Sequence, residues 1–307
     1  MSEDIGVVVL LFFAFAAGVV SSQLCGGHKH VIDTKVRRYL DMKKYELTGE
    51  TMSHGGRVLY RIKALRDFGI VKAGDLGGWV ESEKNLSYDG TAWVSGNARV
   101  CGNAGVYGNA QIYGSAMVYG NAIAYGNAGV CGDAMVYGNA RVCGNAMVYG
   151  NAIVYSDARV CGNAWVFGNA WVYGNAQVCG DARVYGNAQI YGNAKVYGNA
   201  RVFGTARVSG TAWVYGNAQV SGTAQVSGDA WVSGNAWPVS PLYIQGTRHA
   251  LTTSSRAELT IGCERHSTEW WLEHYVEIGE QHGYTPDQIK EYGDYIRYAA
   301  RWLERVK

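Results

Sequence analysis

A six-residue repeat, Val-Tyr-Gly-Asn-Ala-x and its close variants, fills the chain from Tyr88 to Trp237 without insertion or deletion. Every sixth residue from Val94 to Val232 is valine or isoleucine, with Ala124 the one exception. An alanine precedes each of them by two positions, and the glycine series from Gly90 to Gly234 is broken at Ser156 alone. Disordered low-complexity sequence does not need aliphatic residues in strict register, so the repeat predicts a regular fold.

Each repeat predicts one short strand followed by one bend. Side chains alternate along an extended strand, so the aliphatic residue and the alanine two residues before it share the inner face, while the residue x between them points outward. Gly-Asn, or its variants Gly-Asp and Gly-Thr, supplies the bend, because glycine adopts positive φ freely and Asn or Asp tolerates it better than most residues. Stability must come from stacked neighbours, since one coil alone buries too little apolar surface.

Repeats of this short period are typical of a parallel β-helix. The phrase Val-Tyr-Gly-Asn-Ala-x resembles the hexapeptide-repeat family of left-handed β-helix proteins, and the resemblance implies three hexads in each triangular coil. We therefore expect an all-β solenoid, a single-stranded left-handed parallel β-helix. Its 24 aliphatic positions, taken three to a coil, predict about eight coils and a length of roughly 38 Å. The left hand rests on the resemblance alone.

Segments before and after the repeat are expected to cap it. An open first coil would expose its apolar interior and an unpaired strand edge, so residues 42–87 are predicted to be a small N-terminal β cap on the β-helix of residues 88–237. Within this module Leu59–Phe68 contains a strand pattern and Gly77-Gly78 predicts a turn. The module resembles that of bacterial and phage-associated hexapeptide-repeat proteins, some of them described as acyltransferases or polymer-forming proteins.

After the repeat we predict a linker over residues 238–265 and an α-helical hairpin over residues 266–307. Thr285-Pro286-Asp287-Gln288 has the pattern of a capping box with proline at the first helical position, and Gly283 can end a helix begun near Ser267. The second helix then carries an apolar heptad stripe of Ile289, Tyr292, Ile296, Ala299, Leu303 and Val306. This stripe predicts either a hairpin folded onto the last coil or an oligomerising helix.

Residues 1–41 form an apolar N-terminal extension with three interpretations: an anchor, a signal or a mis-assigned start at which Met42 is the true first residue. Ile5–Val20 is almost wholly apolar, but the basic residues follow it instead of preceding it, which fits an anchor better than a secretory signal. We expect a cytoplasmic protein, with an N-terminal membrane anchor as the alternative.

A reducing compartment also fits the outward cysteines, which are predicted to be free thiols: Cys101, Cys131, Cys143, Cys161 and Cys179.

The repeat lacks the residues that catalysis on this fold uses. Resemblance to acyltransferases implies a histidine at a cleft between subunits, but all seven histidines lie outside the repeat and no hexad is interrupted by a substrate loop. We therefore predict no catalytic residue and no cofactor.

Cys263, His266, His274 and His282 are poorly spaced for one metal ion, so no metal site is predicted. The net charge of +2 gives no reason to expect nucleic-acid binding.

The outward positions carry the variable information. Residues eighteen apart are expected to stack on successive coils, and one such row is predicted to bind a partner: Tyr119, Tyr137, Tyr155, Tyr173 and Tyr191. A second row is aromatic apart from Cys131, and a third sets three cysteines beside Arg141 and Arg159. Stacked tyrosines also stabilise a solenoid by themselves, so a purely structural role stays open.

Taken together, these features predict a non-enzymatic structural and interaction scaffold that uses its aromatic rows for self-association or partner binding. The resemblance implies a homo-oligomer, with a trimer as in the relatives. Two alternatives stay open: an acyltransferase-like enzyme with an acyl-CoA donor, for which His54 and His249 are the histidines to test, and a glycan-binding module. The expected partner is a protein or a glycan, and membrane contact is expected only if residues 1–41 are retained.

Overall fold

The computed structural model describes residues 43–233, 236–237 and 241–306; the predicted extension of residues 1–41 lies outside them. The described chain is a β-solenoid of about nine turns, with an antiparallel hairpin at its start and a small sheet and two helices at its end. Each hexad forms a two-residue strand, x followed by the aliphatic residue, and pairs in parallel with the strand eighteen residues further on. Three hexads therefore make one turn, as predicted.

Three parallel sheets run along the solenoid, one for each hexad of a turn. The parallel strands of sheet 1 are Leu76–Val80, Arg99–Val100, Met117–Val118, Met135–Val136, Ile153–Val154, Trp171–Val172, Gln189–Ile190, Arg207–Val208 and Gln225–Val226. Those of sheet 2 are Trp93–Val94, Gln111–Ile112, Gly129–Val130, Met147–Val148, Trp165–Val166, Arg183–Val184, Arg201–Val202, Gln219–Val220 and Ala236–Trp237. Those of sheet 3 are Gly105–Val106, Ile123–Ala124, Arg141–Val142, Arg159–Val160, Gln177–Val178, Lys195–Val196, Trp213–Val214 and Trp231–Val232.

The valines and alanines of the repeat form the core. The inward aliphatic residues from Val94 to Val232 and the alanines from Ala92 to Ala230 are at most 1% exposed. Burying one such valine contributes about 1.5–3 kcal/mol, and stacking repeats this gain in every coil. Ala124 lies in register between Val106 and Val142, so the interior column of sheet 3 carries its smallest side chain there.

Each bend combines a glycine at positive φ with a hydrogen-bonded column of side-chain amides. Gly144 has a φ of 71°, and the N–H of the following Asn145 donates to the carbonyl of Gly162 one turn on, at 2.7 Å. At the same corner, side-chain amides donate to the next turn at 2.9–3.0 Å from Asn109 through Asn127, Asn145 and Asn163 to Asp181. These columns satisfy the polar groups of the bends and tie neighbouring turns together.

The N-terminal module supplies the additional turn. Tyr45–His54 and Arg57–Ala64 form an antiparallel hairpin that joins sheet 1 through Leu76–Val80, and this strand pairs in parallel with Arg99–Val100. Leu86 likewise bridges to sheet 3. The coils predicted for the repeat are therefore joined by one further turn, because the module contributes strands to the solenoid in addition to capping it.

Gly77 and Gly78 lie inside a strand, so the predicted turn at this pair is wrong. A Cβ at Gly77 would come within 2.4 Å of the Ile62 side chain, and the bare backbone therefore lets the hairpin pack closely against this strand. Tyr45 is fully buried in the same module, and its hydroxyl donates to the Leu86 carbonyl at 2.9 Å. The predicted β cap is present, and its glycine pair serves close packing.

The predicted linker of residues 238–265 is wrong for most of its length. Four short antiparallel strands form a meander: Tyr243–Gln245, Ala250–Thr253, Glu258–Ile261 and Glu264–Ser267. Leu251 and Leu259 are fully buried in this sheet, and Thr253 is buried with them. The sheet joins the solenoid where the N–H of Ser233 donates to the carbonyl of Ser254 at 2.7 Å. Strands this short, with threonine inside, carry little alternation of polarity, which is why the sequence pattern did not indicate them.

The predicted helical hairpin is confirmed. Helix α1 is Thr268–Gln281 with Ser267 as its N-cap, and helix α2 is Pro286–Arg305 with Thr285 and Gln288 forming the capping box. The stripe residues of α2 that are buried within the chain are Tyr292, Ile296, Ala299 and Leu303. The apolar stripe is therefore used inside the molecule, where it packs against the small sheet and α1.

A disulfide joins Cys161 to Cys179, so the prediction that all five outward cysteines are free thiols is wrong at these two. The physical reason is the register: parallel pairing stacks equivalent residues of successive turns, and the two Cα atoms lie 4.7 Å apart, within the range that a disulfide spans. Cys101, Cys131 and Cys143 are free.

Among the described residues, no helix is long and apolar enough to cross a membrane.

Candidate functional site

The predicted binding residues form one continuous stack along sheet 1. Each follows an inward valine or isoleucine, and parallel register brings each ring against the next. The ring centroids are 4.8–5.1 Å apart, and the ring planes are within 6–9° of parallel. We call this row the tyrosine ladder: Tyr119, Tyr137, Tyr155, Tyr173 and Tyr191.

The tyrosine ladder presents ring edges and hydroxyls, since the stacked rings cover one another's faces. All five side chains are half-buried. Burial raises the pKa of Tyr119, Tyr155 and Tyr173, so these phenols stay neutral and can donate hydrogen bonds at physiological pH. None of the five hydroxyls is a buried atom that lacks a hydrogen-bond partner in the described part of the chain. Because the five side chains are only half-buried, part of each is exposed to a partner.

A second row of apolar side chains lies beside the tyrosine ladder on the same sheet. It consists of Met117, Met135, Ile153 and Trp171, and Trp171 is 41% exposed. On sheet 3, Tyr107 follows the inward Val106, and its ring lies over the outward row. A Cβ at Gly105, in that row, would be 2.4 Å from the Tyr107 ring. The two rows together make an apolar surface, which we call the sheet 1 face.

Sheet 2 also carries an aromatic stack, but two arginines of its outward row, Arg183 and Arg201, lie beside that stack. Tyr149, Phe167, Tyr185 and Phe203 stack with centroids 4.8–5.0 Å apart. The Arg183 guanidinium lies 5.2 Å from the Trp165 ring centroid, which places a cation on the aromatic surface. The predicted break in this stack is at Cys131, and a hydrogen bond to Cys131 raises the pKa of Tyr113 to about 12.

The outward side chains of sheet 3 change from basic to aromatic along the solenoid. Its first part carries Arg141 and Arg159 beside the cysteines of the third predicted row. Its last part carries Trp213 and Trp231, stacked with centroids 5.1 Å apart, and the Lys195 ammonium lies 4.4 Å from the Trp213 centroid. On sheet 1, by contrast, the outward row is uncharged from Met117 to Gln189, along the whole length of the tyrosine ladder.

The small sheet and the helical hairpin enclose a cavity of about 40 Å³, enough for one or two water molecules. His249, Cys263, Glu264 and His282 line it, together with Tyr284. Sequence spacing did not indicate this group, because the turn between the last two strands and the end of α1 bring it together only in the folded chain.

The residues considered for a metal ion do not share one centre. His266 and His282 both approach the Glu264 carboxylate, at 3.1 and 3.5 Å, while His274 contacts the Trp270 carbonyl instead. Across the described residues, no group of three or more histidine, cysteine, aspartate or glutamate side chains is arranged to bind a metal. The histidines proposed for an acyl-CoA site are also apart: His54 ends the first strand of the N-terminal hairpin, and His249 lies at the C-terminal cavity.

Comparison with protein families supports the solenoid. The YdcK β-solenoid repeat matches residues 110–126, 140–156, 158–174, 176–192, 188–202 and 194–210. The chain is a β-solenoid repeat protein. Four of these matches start eighteen residues apart, which is one turn, so the family repeat has the period of the structure. A comparison with curated proteins found no similar protein.

Proposed function

We propose that the protein is a non-enzymatic scaffold that self-associates through the sheet 1 face. The observation that carries this proposal is the unbroken tyrosine ladder beside an uncharged row of methionine, isoleucine and tryptophan. Contiguous exposed apolar surface of this kind is characteristic of interaction sites in soluble proteins. The left-handed winding implied by the hexapeptide-repeat resemblance belongs to the same proposal, but pairing of two sheet 1 faces gives a dimer in place of the trimer that the resemblance implies.

A second copy of the chain is the partner that fits this face best. The side chains of the sheet 1 face repeat along the solenoid at the spacing of one turn, and those of a second copy repeat at the same spacing. Side chains of two such faces can therefore interdigitate along the whole ladder without a change in register. Methionine and tyrosine suit this contact, because methionine adapts its shape and tyrosine adds a hydroxyl to a large apolar ring.

The size of the face indicates a reversible association. Five turns span about 24 Å, and one side of the solenoid is at most six residues wide, about 20 Å. Pairing two such faces buries on the order of 1,000 Å² in total, which is the lower limit for a specific protein interface. We therefore expect the oligomer to dissociate on dilution, whereas a permanent oligomer would need a larger buried area.

The test compares two double variants of the full-length chain by sedimentation equilibrium over a range of concentrations. Tyr137→Ser with Tyr155→Ser breaks the centre of the tyrosine ladder and should weaken association at least tenfold. Phe167→Ser with Tyr185→Ser is the matched control, since it breaks an equivalent stack on sheet 2 and should leave association unchanged. A wild-type chain that stays monomeric at all concentrations would overturn the proposal, and so would equal association of both variants.

The acyltransferase alternative has a separate test. Calorimetric titration of the full-length chain with coenzyme A should give no saturable heat if the protein is a scaffold. Saturable binding that is lost on changing His54 or His249 would favour the enzyme instead. Glycan binding is less favoured by the ladder geometry, because sugars stack on aromatic ring faces and the faces of these rings are covered by their neighbours.

A further inference from the structure

Three cysteines occupy equivalent positions on consecutive turns of sheet 3. Each directly follows an inward valine, and the strands before them pair in register, Val142 with Val160 and Val160 with Val178. The N–H groups of Cys143 and Cys161 each donate to a valine carbonyl of the next turn at 2.9 Å. We call this column the cysteine ladder: Cys143, Cys161 and Cys179.

The ladder permits two disulfides but only one at a time. Cys161 is bonded to Cys179 at a Cα separation of 4.7 Å. Cys143 is related to Cys161 by the same repeat of about 4.8 Å, so it can form the equivalent bond. Cys143 and Cys179 are two turns apart, about 9.6 Å, which is beyond disulfide reach. Any disulfide in the ladder therefore contains Cys161 and leaves one terminal thiol free.

The surroundings of the ladder suit thiol chemistry. All three cysteines are half-buried, so a small reagent can reach them. Arg141 and Arg159 are exposed on the same sheet, two residues before the first two cysteines, so cations lie beside the cysteine ladder. The Tyr125 hydroxyl forms a hydrogen bond with Cys143, which raises the pKa of Tyr125.

We propose that the cysteine ladder is a thiol–disulfide exchange site for low-molecular-weight disulfides. In the reduced ladder, the Cys143 thiolate attacks one sulfur of an external disulfide R–S–S–R, forms a mixed disulfide and releases one R–S⁻. The Cys161 thiolate then attacks the Cys143 sulfur, forms the 143–161 bond and releases the second R–S⁻. The Cys179 thiolate attacks the Cys161 sulfur, forms the 161–179 bond and returns Cys143 as a thiolate. The external disulfide is the oxidant, and each step exchanges one sulfur–sulfur bond for another.

The experiment treats reduced full-length protein with glutathione disulfide, quenches with acid, alkylates free thiols and maps tryptic peptides. The sequence makes the two bonds distinguishable: Cys143 lies in peptide 142–159, whereas Cys161 and Cys179 both lie in peptide 160–183. A 161–179 bond is therefore internal to one peptide, and a 143–161 bond links two. Wild type should lose two thiols and yield mainly the internal bond.

Single serine variants separate exchange from incidental oxidation. Serine is found at the same repeat position in other turns, as Ser209 and Ser227, so these variants should fold. Cys179→Ser should trap the two-peptide 143–161 link, Cys143→Ser should keep the internal bond, and Cys161→Ser should stop at a glutathione mixed disulfide with no bond between cysteines of the ladder. Cys131→Ser, the control on sheet 2, should behave as wild type. The proposal fails if Cys161→Ser forms a bond between Cys143 and Cys179, if Cys179→Ser forms no link, or if wild type does not react.

Discussion

The glycine of each bend is predicted to be far more sensitive to substitution than a glycine on a strand. Gly144 has a φ of 71°, and a Cβ there would lie 2.9 Å from the carbonyl oxygen of Gly162 and 3.1 Å from its nitrogen. Both are backbone atoms held by the neighbouring turn, so they cannot swing aside. Gly129 has no positive φ, and its Cβ would meet only the flexible end of Met147, at 2.5 Å from Sδ. The pair therefore isolates the effect of the bend.

The magnitude for Gly144→Ala follows from two costs. Holding an alanine in the left-handed region costs about 1–2 kcal/mol. The clash displaces the bend and weakens the hydrogen bond from Asn145 to Gly162, 2.7 Å long in the native structure, which adds about 1 kcal/mol. We expect the free energy of unfolding to fall by about 2–3 kcal/mol, which lowers the midpoint of thermal unfolding by about 5–10 °C. Gly129→Ala should change stability by less than about 1 kcal/mol, since it also gains strand propensity.

Thermal unfolding followed by circular dichroism measures both variants in parallel with wild type. Ser156→Gly completes the set, because Ser156 is the non-glycine residue with positive φ, 59°, among the described residues and should gain about 1 kcal/mol on substitution. If Gly144→Ala is no less stable than Gly129→Ala, the assignment of strain to the bend is refuted. A loss of stability in Ser156→Gly would refute it from the opposite direction.

Three further predictions concern the core and the C-terminal cap. Ala124→Val should raise the free energy of unfolding by about 1–1.5 kcal/mol in denaturant titrations, because it restores the valine column between Val106 and Val142. Destabilisation would mean that the neighbouring side chains already fill the space. Tyr292→Phe should lower the free energy of unfolding by about 1–3 kcal/mol in the same assay. The reason is that the Tyr292 hydroxyl accepts from the N–H of His249 at 2.5 Å and donates to the His249 carbonyl at 2.6 Å. An unchanged midpoint would contradict this role. The Arg265 guanidinium holds the pKa of Glu258 below its usual value of 4.5, so this contact stabilises the fold above that value and is lost as pH falls through the lowered pKa. Glu258→Gln should therefore flatten the fall in thermal stability between pH 5 and about pH 3; an acid profile identical to wild type would count against the contact.

The hexad predicted the solenoid well because each of its positions has one physical task. Valine and alanine positions define the interior, and the glycine defines the bend. That three hexads make one turn, and therefore three sheets, is what the resemblance to hexapeptide-repeat proteins implies. The end modules are different. Their short strands are stabilised by contacts such as Ser233 to Ser254 and Tyr45 to Leu86, which join residues far apart in sequence. Local pattern carries no signal for such contacts, and the meander was missed for that reason.

The same distinction applies to the candidate sites. The tyrosine ladder was predictable because residues eighteen apart must stack once the turn holds three hexads. Its binding role stays a prediction, since stacking alone would place the rings in the same way. The disulfide depends on the same register. Cysteine spacing along the chain does not indicate it, because the two Cα atoms come within 4.7 Å of each other only when successive turns stack. The approach of His266 and His282 to Glu264 depends on how the meander turns, which no spacing rule describes.

The two proposed surfaces lie on different sheets, and this makes them independently testable. The tyrosine ladder belongs to sheet 1 and the cysteine ladder to sheet 3, and the ring stacking of the first and the disulfide of the second each lie within one sheet. Variants at sites without shared contacts act additively, so Tyr137→Ser with Tyr155→Ser should leave glutathione disulfide exchange unchanged, and Cys161→Ser should leave self-association unchanged. If association instead protected the cysteines from exchange, the oligomer would have to cover sheet 3, and sheet 1 could not be its sole interface. The exchange assay thus also reports which face of the solenoid the second copy occupies.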